Sequence, residues 1–224
     1  SQFLAQVKLR FDSYVGMTDS GAMKVWGSKT LSFATALSGA LGGALFLGAS
    51  SSGALASSLQ AGERGTVRTV LDGDTLYLNN GLKVRLSGIQ APKLSLGREH
   101  VKDWPLGHES KAALISLTRS HEVQLFYGGA QRDRYKRALA QLFTLKADAP
   151  TIWLQEEMLR LGMARVYTWP DTHQDIERLY AAEREARAAK RGIWALPYYA
   201  LRKPDPDPLA QDVDSFQIVE GLIT

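Results

Sequence analysis

The sequence predicts an α+β fold in which five short strands close into a barrel and two or three helices pack on it. Three observations carry this. Short β-branched and aliphatic segments crowd together between residues 66 and 89, a lone helical segment separates them from two more strands, and two further helical segments follow. Thr66 to Leu71, Thr75 to Leu78 and Leu82 to Ile89 read as the first three strands, with Asn79-Asn80-Gly81 as a tight hairpin whose Asn and Gly supply positive φ. His108 to Ser120 carries Ala112, Ala113, Leu114 and Leu117 at helical spacing. Glu122 to Tyr127 alternates Val123, Leu125 and Tyr127, and Arg137 to Leu145 is another apolar-rich strand. Three strands, a helix and two strands is the order of an OB-fold, a Greek-key barrel often used for oligonucleotides.

The remaining elements read as packing pieces. Ile152 to Leu161 predicts a helix ended by Gly162, and Asp175 to Arg191 a longer one with Ile176, Leu179, Tyr180 and Ala186 on one face and Gly192 as its stop. Trp153 and Trp194 read as anchors of these helices. The Arg/Glu-rich face of residues 177–191 reads as solvated and laced with i,i+4 pairs.

Outside residues 65–196 the organisation is different. Residues 1–22 are an upstream segment with no fold assigned. Residues 23–56 read as a secretory leader: Lys24 and Lys29, an apolar run from Leu31 to Leu47, then Ala54-Leu55-Ala56. Export to a periplasmic or extracellular space is favoured over a retained anchor, because the run is rich in Ala, Gly and Ser and sits at the short end of the ~17–25 residues a spanning helix needs. Residues 57–64 form a linker. Residues 197–214 form a second one, whose alternating prolines from Pro204 to Pro208 favour extended chain. Residues 215–224 read as the start of a further, truncated domain.

Composition narrows the chemistry. A net charge of +4 favours polyanions without selecting one. The absence of cysteine excludes disulfides and thiolate metal sites. No H-E-x-x-H, G-x-S-x-G or P-loop pattern is present.

Three motifs stand out: Val70-Leu71-Asp72-Gly73-Asp74-Thr75-Leu76, Lys83 to Lys93 around Arg85, and Asp133-Arg134-Tyr135-Lys136-Arg137. Together they resemble the signature of the staphylococcal nuclease (thermonuclease) family. The resemblance covers roughly Gly65 to Trp194. It implies an OB barrel with packed helices and calcium-dependent hydrolysis of DNA and RNA phosphodiesters. By position, Arg85 and Arg137 match the two phosphate-neutralising arginines, Asp74 the first metal-ligating aspartate and Tyr135 a substrate-side tyrosine. Where the family has Asp-Thr-Pro-Glu, this chain has Gln90-Ala91-Pro92-Lys93, so the second metal aspartate is Gln90 and the general-base glutamate is Lys93. The Ala91 carbonyl and the Gln90 amide still offer neutral oxygens. Lys136 stands where the family usually has Gly.

The Lys93 substitution is the informative one. An ammonium with an ordinary pKa near ~10.4 holds its proton at neutral pH and cannot take one from water. At ~6 Å and a water-like dielectric, each unit charge contributes about 1.4 kcal/mol against a dication, so exchanging Glu for Lys weakens metal binding by about 3 kcal/mol, on the order of a hundredfold. Two function classes follow. One is a nucleic-acid-binding module, impaired in catalysis, that uses Arg85, Lys93, Arg134 and Arg137 to hold a phosphate-rich anion, with Asp74 left as a weak, incomplete calcium site. The other is an active secreted nuclease that takes a substitute base from residues 94–107, where Glu99, His100 and Asp103 stand. The sign of the charge at position 93 favours the first, and neither requires the folded domain to enter a membrane.

Overall fold

A computed structural model of the protein describes residues 2–8, 59–168, 175–212 and 216–222. The segment read as a leader, residues 23–56, lies outside the described residues, whereas most of the 57–64 linker is not a linker, because Gln60 onward belongs to a strand. Strands β1 (Gln2–Lys8), β2 (Gln60–Asp72), β3 (Thr75–Leu78), β4 (Lys83–Leu86) and β5 (Ile89–Gln90) precede helix α1 (Gly107–Thr118). Then come β6 (Glu122–Tyr127), β7 (Ala138–Lys146), β8 (Ala149–Trp153), α2 (Leu154–Arg160), β9 (Arg165–Val166), α3 (Ile176–Ala188) and β10 (Phe216–Leu222).

The chain order of hairpins closes a ring. Neighbours run β4-β3-β2-β6-β7, and β4 returns to pair with β7, so all five strands have partners on both sides. The closing pair is parallel, Val84 beside Ala138 and Leu86 beside Ala140, and the other four are antiparallel. This is the five-stranded OB arrangement that the sequence predicts, and it removes the exposed edges an open sheet would present. Inward-facing Leu76, Leu78, Val84, Leu86, Val123, Leu125 and Leu142 are fully buried and form the core. At the ~25 cal/mol per Å² of apolar surface removed from water, each such side chain stabilises the fold by about 1.5–3 kcal/mol.

Several boundaries differ from the sequence reading, each for a physical reason. Strand β2 starts at Gln60 rather than near Thr66, because Gln60 and Ala61 pair with Tyr127 and Phe126 of β6. The segment Leu82 to Ile89 splits at Ser87-Gly88, where Gly88 takes φ +86, and Ile89-Gln90 leaves the ring to pair with β9. The residues before α2 form β8, which extends β7 outward until Trp153 stacks on Phe143 with ring centroids 6.0 Å apart. Trp153 therefore anchors α2 as expected. The prolines do not keep the second linker uniformly extended, since Pro206–Leu209 makes one helical turn. There Pro206 occupies the first position, where a missing N–H costs nothing. Within residues 1–22, Gln2–Lys8 pairs antiparallel with Phe216–Leu222.

The helices are fixed to the ring by polar as well as apolar contacts. Gln155 of α2, fully buried, donates to the carbonyls of Ser87 and Ala140 and accepts from the Leu142 N–H. Helix α3 crosses α2, and the two stops meet: an added Cβ on Gly162 would lie 2.2 Å from the Arg191 carbonyl oxygen, and one on Gly192 equally close to that of Gly162. Backbone contact this tight requires glycine on both sides. The charged face of α3 is also less solvated than predicted. Glu183 is buried against Arg187 and the Val166 N–H, and Arg178 reaches Glu156 of α2.

Candidate functional site

The site is built at the end of β2. Asp72-Gly73-Asp74 turns the chain so that the Asp74 N–H donates to the Asp72 carboxylate at 3.1 Å. Gly73 is needed for proximity: a Cβ there would come within 1.8 Å of Ser110 Oγ, so α1 rests directly on the turn. The break at Ser87-Gly88 then swings Gln90 to Lys93 back across Asp74.

Asp74 is fully buried and surrounded by donors. One carboxylate oxygen accepts the Ala91 N–H at 2.7 Å and the Gln90 amide at 3.3 Å. The other accepts the Thr75 hydroxyl at 3.0 Å and pairs with the Arg85 guanidinium at 3.0 Å. Lys93 Nζ lies 3.3 Å and 3.4 Å from the two Asp74 oxygens and 3.9 Å from Asp72. Burial pushes the Asp74 carboxyl up, but the Arg85 and Lys93 cations and the Ala91 N–H outweigh it and hold it well below the usual carboxylate range. Asp72 goes the other way, pushed up to about 6 by burial and by the Asp74 charge. Burial also draws the Lys93 ammonium below its ordinary value, against the pull of Asp74.

Arg85 alternates with Val84 and Leu86 along β4, yet it does not face solvent. It is buried, and besides Asp74 it donates to the carbonyls of Leu86 at 3.0 Å and Ile89 at 2.8 Å. The two neutral oxygens read as available to a dication are also engaged: Ala91 O accepts the Gln90 amide at 2.9 Å, and Gln90 Oε1 receives Arg85 at 3.4 Å.

The second cationic group is exposed. Arg134 and Arg137 flank Tyr135, with guanidinium carbons 4.8 Å and 5.4 Å from its ring centroid, and the ring is 64% exposed. Asp133 organises this loop, a role that its place among four basic residues does not reveal. Its carboxylate accepts the N–H groups of Tyr135 and Arg137 at 2.8 Å and 3.0 Å and the Arg137 Nε–H at 2.6 Å. Burial pushes the Asp133 carboxyl up, and these three bonds outweigh it, leaving it below its ordinary value. Lys136 holds φ +62, the left-handed conformation that the family's glycine adopts freely. Because Ala138 pairs in parallel with Val84, Arg137 stands one residue before the point where β7 meets β4, the strand of Arg85.

The loop after Lys93 is held down elsewhere. Glu99 and His100 are exposed, and Asp103 accepts the Ser95 N–H at 2.6 Å and meets His108 at 3.0 Å. Trp104 donates its N–H to the Lys93 carbonyl at 2.7 Å. Its ring faces the guanidinium of buried Arg165, which Tyr199 covers from another side while its hydroxyl reaches the Pro105 carbonyl at 2.6 Å. Burial lowers Arg165 to about 9. No motif marks Trp104, Arg165 and Tyr199 as one cluster, because they lie far apart in the chain. Among the described residues no group of three His, Cys, Asp or Glu side chains is arranged to hold a metal ion, and no helix is long and apolar enough to cross a membrane.

Comparison with known proteins identifies a family for much of this region. The family model described as staphylococcal nuclease homologue matches residues 83–196, just over half of the chain. The chain is 32% identical over 143 residues to a probable endonuclease LCL3 of Phaeosphaeria nodorum, covering 59% of this chain and 45% of that protein. It is 30% identical over 122 residues to a probable staphylococcal-like nuclease CAN2 of Oryza sativa, covering 54% of this chain and 28% of the relative. Against a thermonuclease of Staphylococcus hyicus it is 26% identical over 129 residues, 56% of this chain and 72% of that one. The chain thus spans less than half the length of the first two relatives.

Proposed function

Because the chain belongs to the staphylococcal nuclease homologue family, we propose that its barrel binds the phosphate backbone of nucleic acid and is impaired in cleaving it. The observation that carries this reading is the ammonium of Lys93 lying 3.3 Å from Asp74 and 3.9 Å from Asp72. A hard dication needs several free oxygen donors. Here both Asp74 oxygens, Ala91 O and Gln90 Oε1 are engaged by N–H or O–H groups, and a cation already neutralises the carboxylates. The donor set does not fit calcium. In its charged form Lys93 has no lone pair to accept a proton; Asp74 and Asp72 favour that form and burial opposes them. The reading of an active nuclease with a substitute base draws less support, since Asp103 is spent on Ser95 and His108.

Phosphate recognition has a better foundation. Arg134, Arg137 and Tyr135 form an exposed platform of two planar cations and one aromatic face, a combination suited to a strand of single-stranded nucleic acid. Export of this domain, read from residues 23–56, belongs to the same proposal.

Titration calorimetry with calcium and a cleavage assay on single-stranded DNA test it. The wild-type chain is expected to take up no calcium and leave the DNA intact, whereas Gln90→Asp combined with Lys93→Glu is expected to gain measurable calcium uptake. Calcium-dependent cleavage by the wild type that disappears on Arg137→Ala would overturn the impaired reading.

A further inference from the structure

A groove of about 540 Å³ runs between β2 and α1, away from Asp74 and Lys93. Its lining includes Arg68, Lys111, Arg119 and His121 and no acidic residue, and Val67, Val70 and Ile115 supply an apolar floor. Elsewhere on the barrel several arginines are paired with a carboxylate: Arg64 with Asp148, Arg132 with Glu63, Arg137 with Asp133. Among the described residues, Arg68, Lys111 and Arg119 have no carboxylate within ion-pair distance, and Glu122, the register partner of Thr66, is not part of the lining. A concave surface that gathers unpaired cations raises the local concentration of anions. The negative end of the α1 dipole opposes this by about 0.3–1 kcal/mol, and Arg119, at the C-cap of α1, stands where it offsets that effect.

The groove has a direction. Strand β2 lines it from Thr66 to Val70 and then delivers Asp72 and Asp74 to the site already described. At ~3.3 Å per residue, Arg68 lies about 13 Å along the strand from Asp72, where β2 ends. At the ~3.4 Å rise of a stacked strand, that distance matches about four nucleotides. We infer that the β2–α1 groove is a second binding site for the phosphodiester backbone, taking the part of a nucleic-acid strand that runs on from the Asp74 end of the barrel. This rests on the nucleic-acid reading above and extends it to a face that lacks Asp74, Arg85, Tyr135 and Arg137.

Fluorescence anisotropy with a labelled 20-nucleotide thymidylate strand, measured across a salt series on the full chain, tests the site. The triple variant Arg68→Ala, Lys111→Ala, Arg119→Ala is compared with wild type and with Arg184→Ala, an exposed arginine of α3 outside the groove. Each phosphate contact contributes ~0.7 to the slope of log affinity against log salt for single strands, so the triple variant is expected to lose about 2 from that slope while Arg184→Ala keeps it. Identical slopes for wild type and triple variant overturn the groove and leave the Arg137 platform standing. No binding by the wild type overturns the nucleic-acid reading and the groove with it. Arg68 and Arg119 are exposed and Lys111 is half-buried, and matching circular dichroism spectra check that the fold is retained.

Discussion

Two arginines of this domain are each held by an aspartate, but under opposite conditions. Arg85 is 10% exposed at its side chain and Asp74 not at all, while Arg137 and Asp133 are 24% and 14% exposed. Arg85 directs its terminal nitrogens inward, to Asp74 and the carbonyls of Leu86 and Ile89. Arg137 uses its Nε–H on Asp133 and keeps its fork beside Tyr135 at the surface. The two positions are therefore used differently: Arg85 closes an internal ion cluster together with Lys93, and Arg137, under the proposed function, is the one a phosphate would meet.

The largest effect that would break this contrast is on stability. Arg85→Ala leaves Asp74 buried with one cation fewer, and losing one partner of a buried pair costs about 3–5 kcal/mol. Urea denaturation is expected to show that loss, and a variant as stable as wild type would mean that Arg85 is not a structural cation. Next comes binding. Arg137→Ala is expected to weaken oligonucleotide affinity roughly tenfold, about 1.4 kcal/mol, with the urea midpoint almost unchanged. Should the two variants exchange phenotypes, the assignment of roles is reversed.

Two smaller effects sharpen the exposed side. Lys136→Gly removes the strain of a left-handed lysine and is expected to raise stability by about 1 kcal/mol, reduced somewhat by the greater freedom of glycine in the unfolded chain. Asp133 titrates below its ordinary value, so the stability it confers is complete above its unfolded pKa of ~3.9 and is lost as pH falls through the depressed folded value. Asp133→Asn is therefore expected to be less stable than wild type at pH 7, with the gap closing below about pH 4 in thermal melts. A gap independent of pH would assign the role of Asp133 to shape instead of charge.

The ring and its order are readable from alternation and turn residues because each strand's inward positions are apolar and local. The positions of Arg85, Asp74 and Lys93 are readable because short motifs carry them. What sequence patterning cannot show is where those side chains spend their hydrogen bonds. Arg85 alternates with Val84 and Leu86 as a surface residue would, yet the break at Gly88 folds Gln90 to Lys93 over it. Asp133 reads as one charge in a basic hairpin, and only the turn's closure makes it the hub. Gln155 gives no signal of its polar bridge to Ser87 and Ala140, since it sits in a helix of ordinary amphipathic character. Arg165 belongs to a two-residue strand and gains meaning from Trp104 and Tyr199, which arrive from distant parts of the chain.

The tie from Tyr199 to Pro105, one residue past the amide that Trp104 donates to Lys93, bears on where the autonomous unit ends. A polypeptide trimmed to residues 83–196 would forfeit the tyrosine that clasps this loop, along with the β2 turn bearing Asp72 and Asp74. The tail beyond the last long helix therefore fastens the loop that follows Lys93, through the Tyr199 hydroxyl on the Pro105 carbonyl.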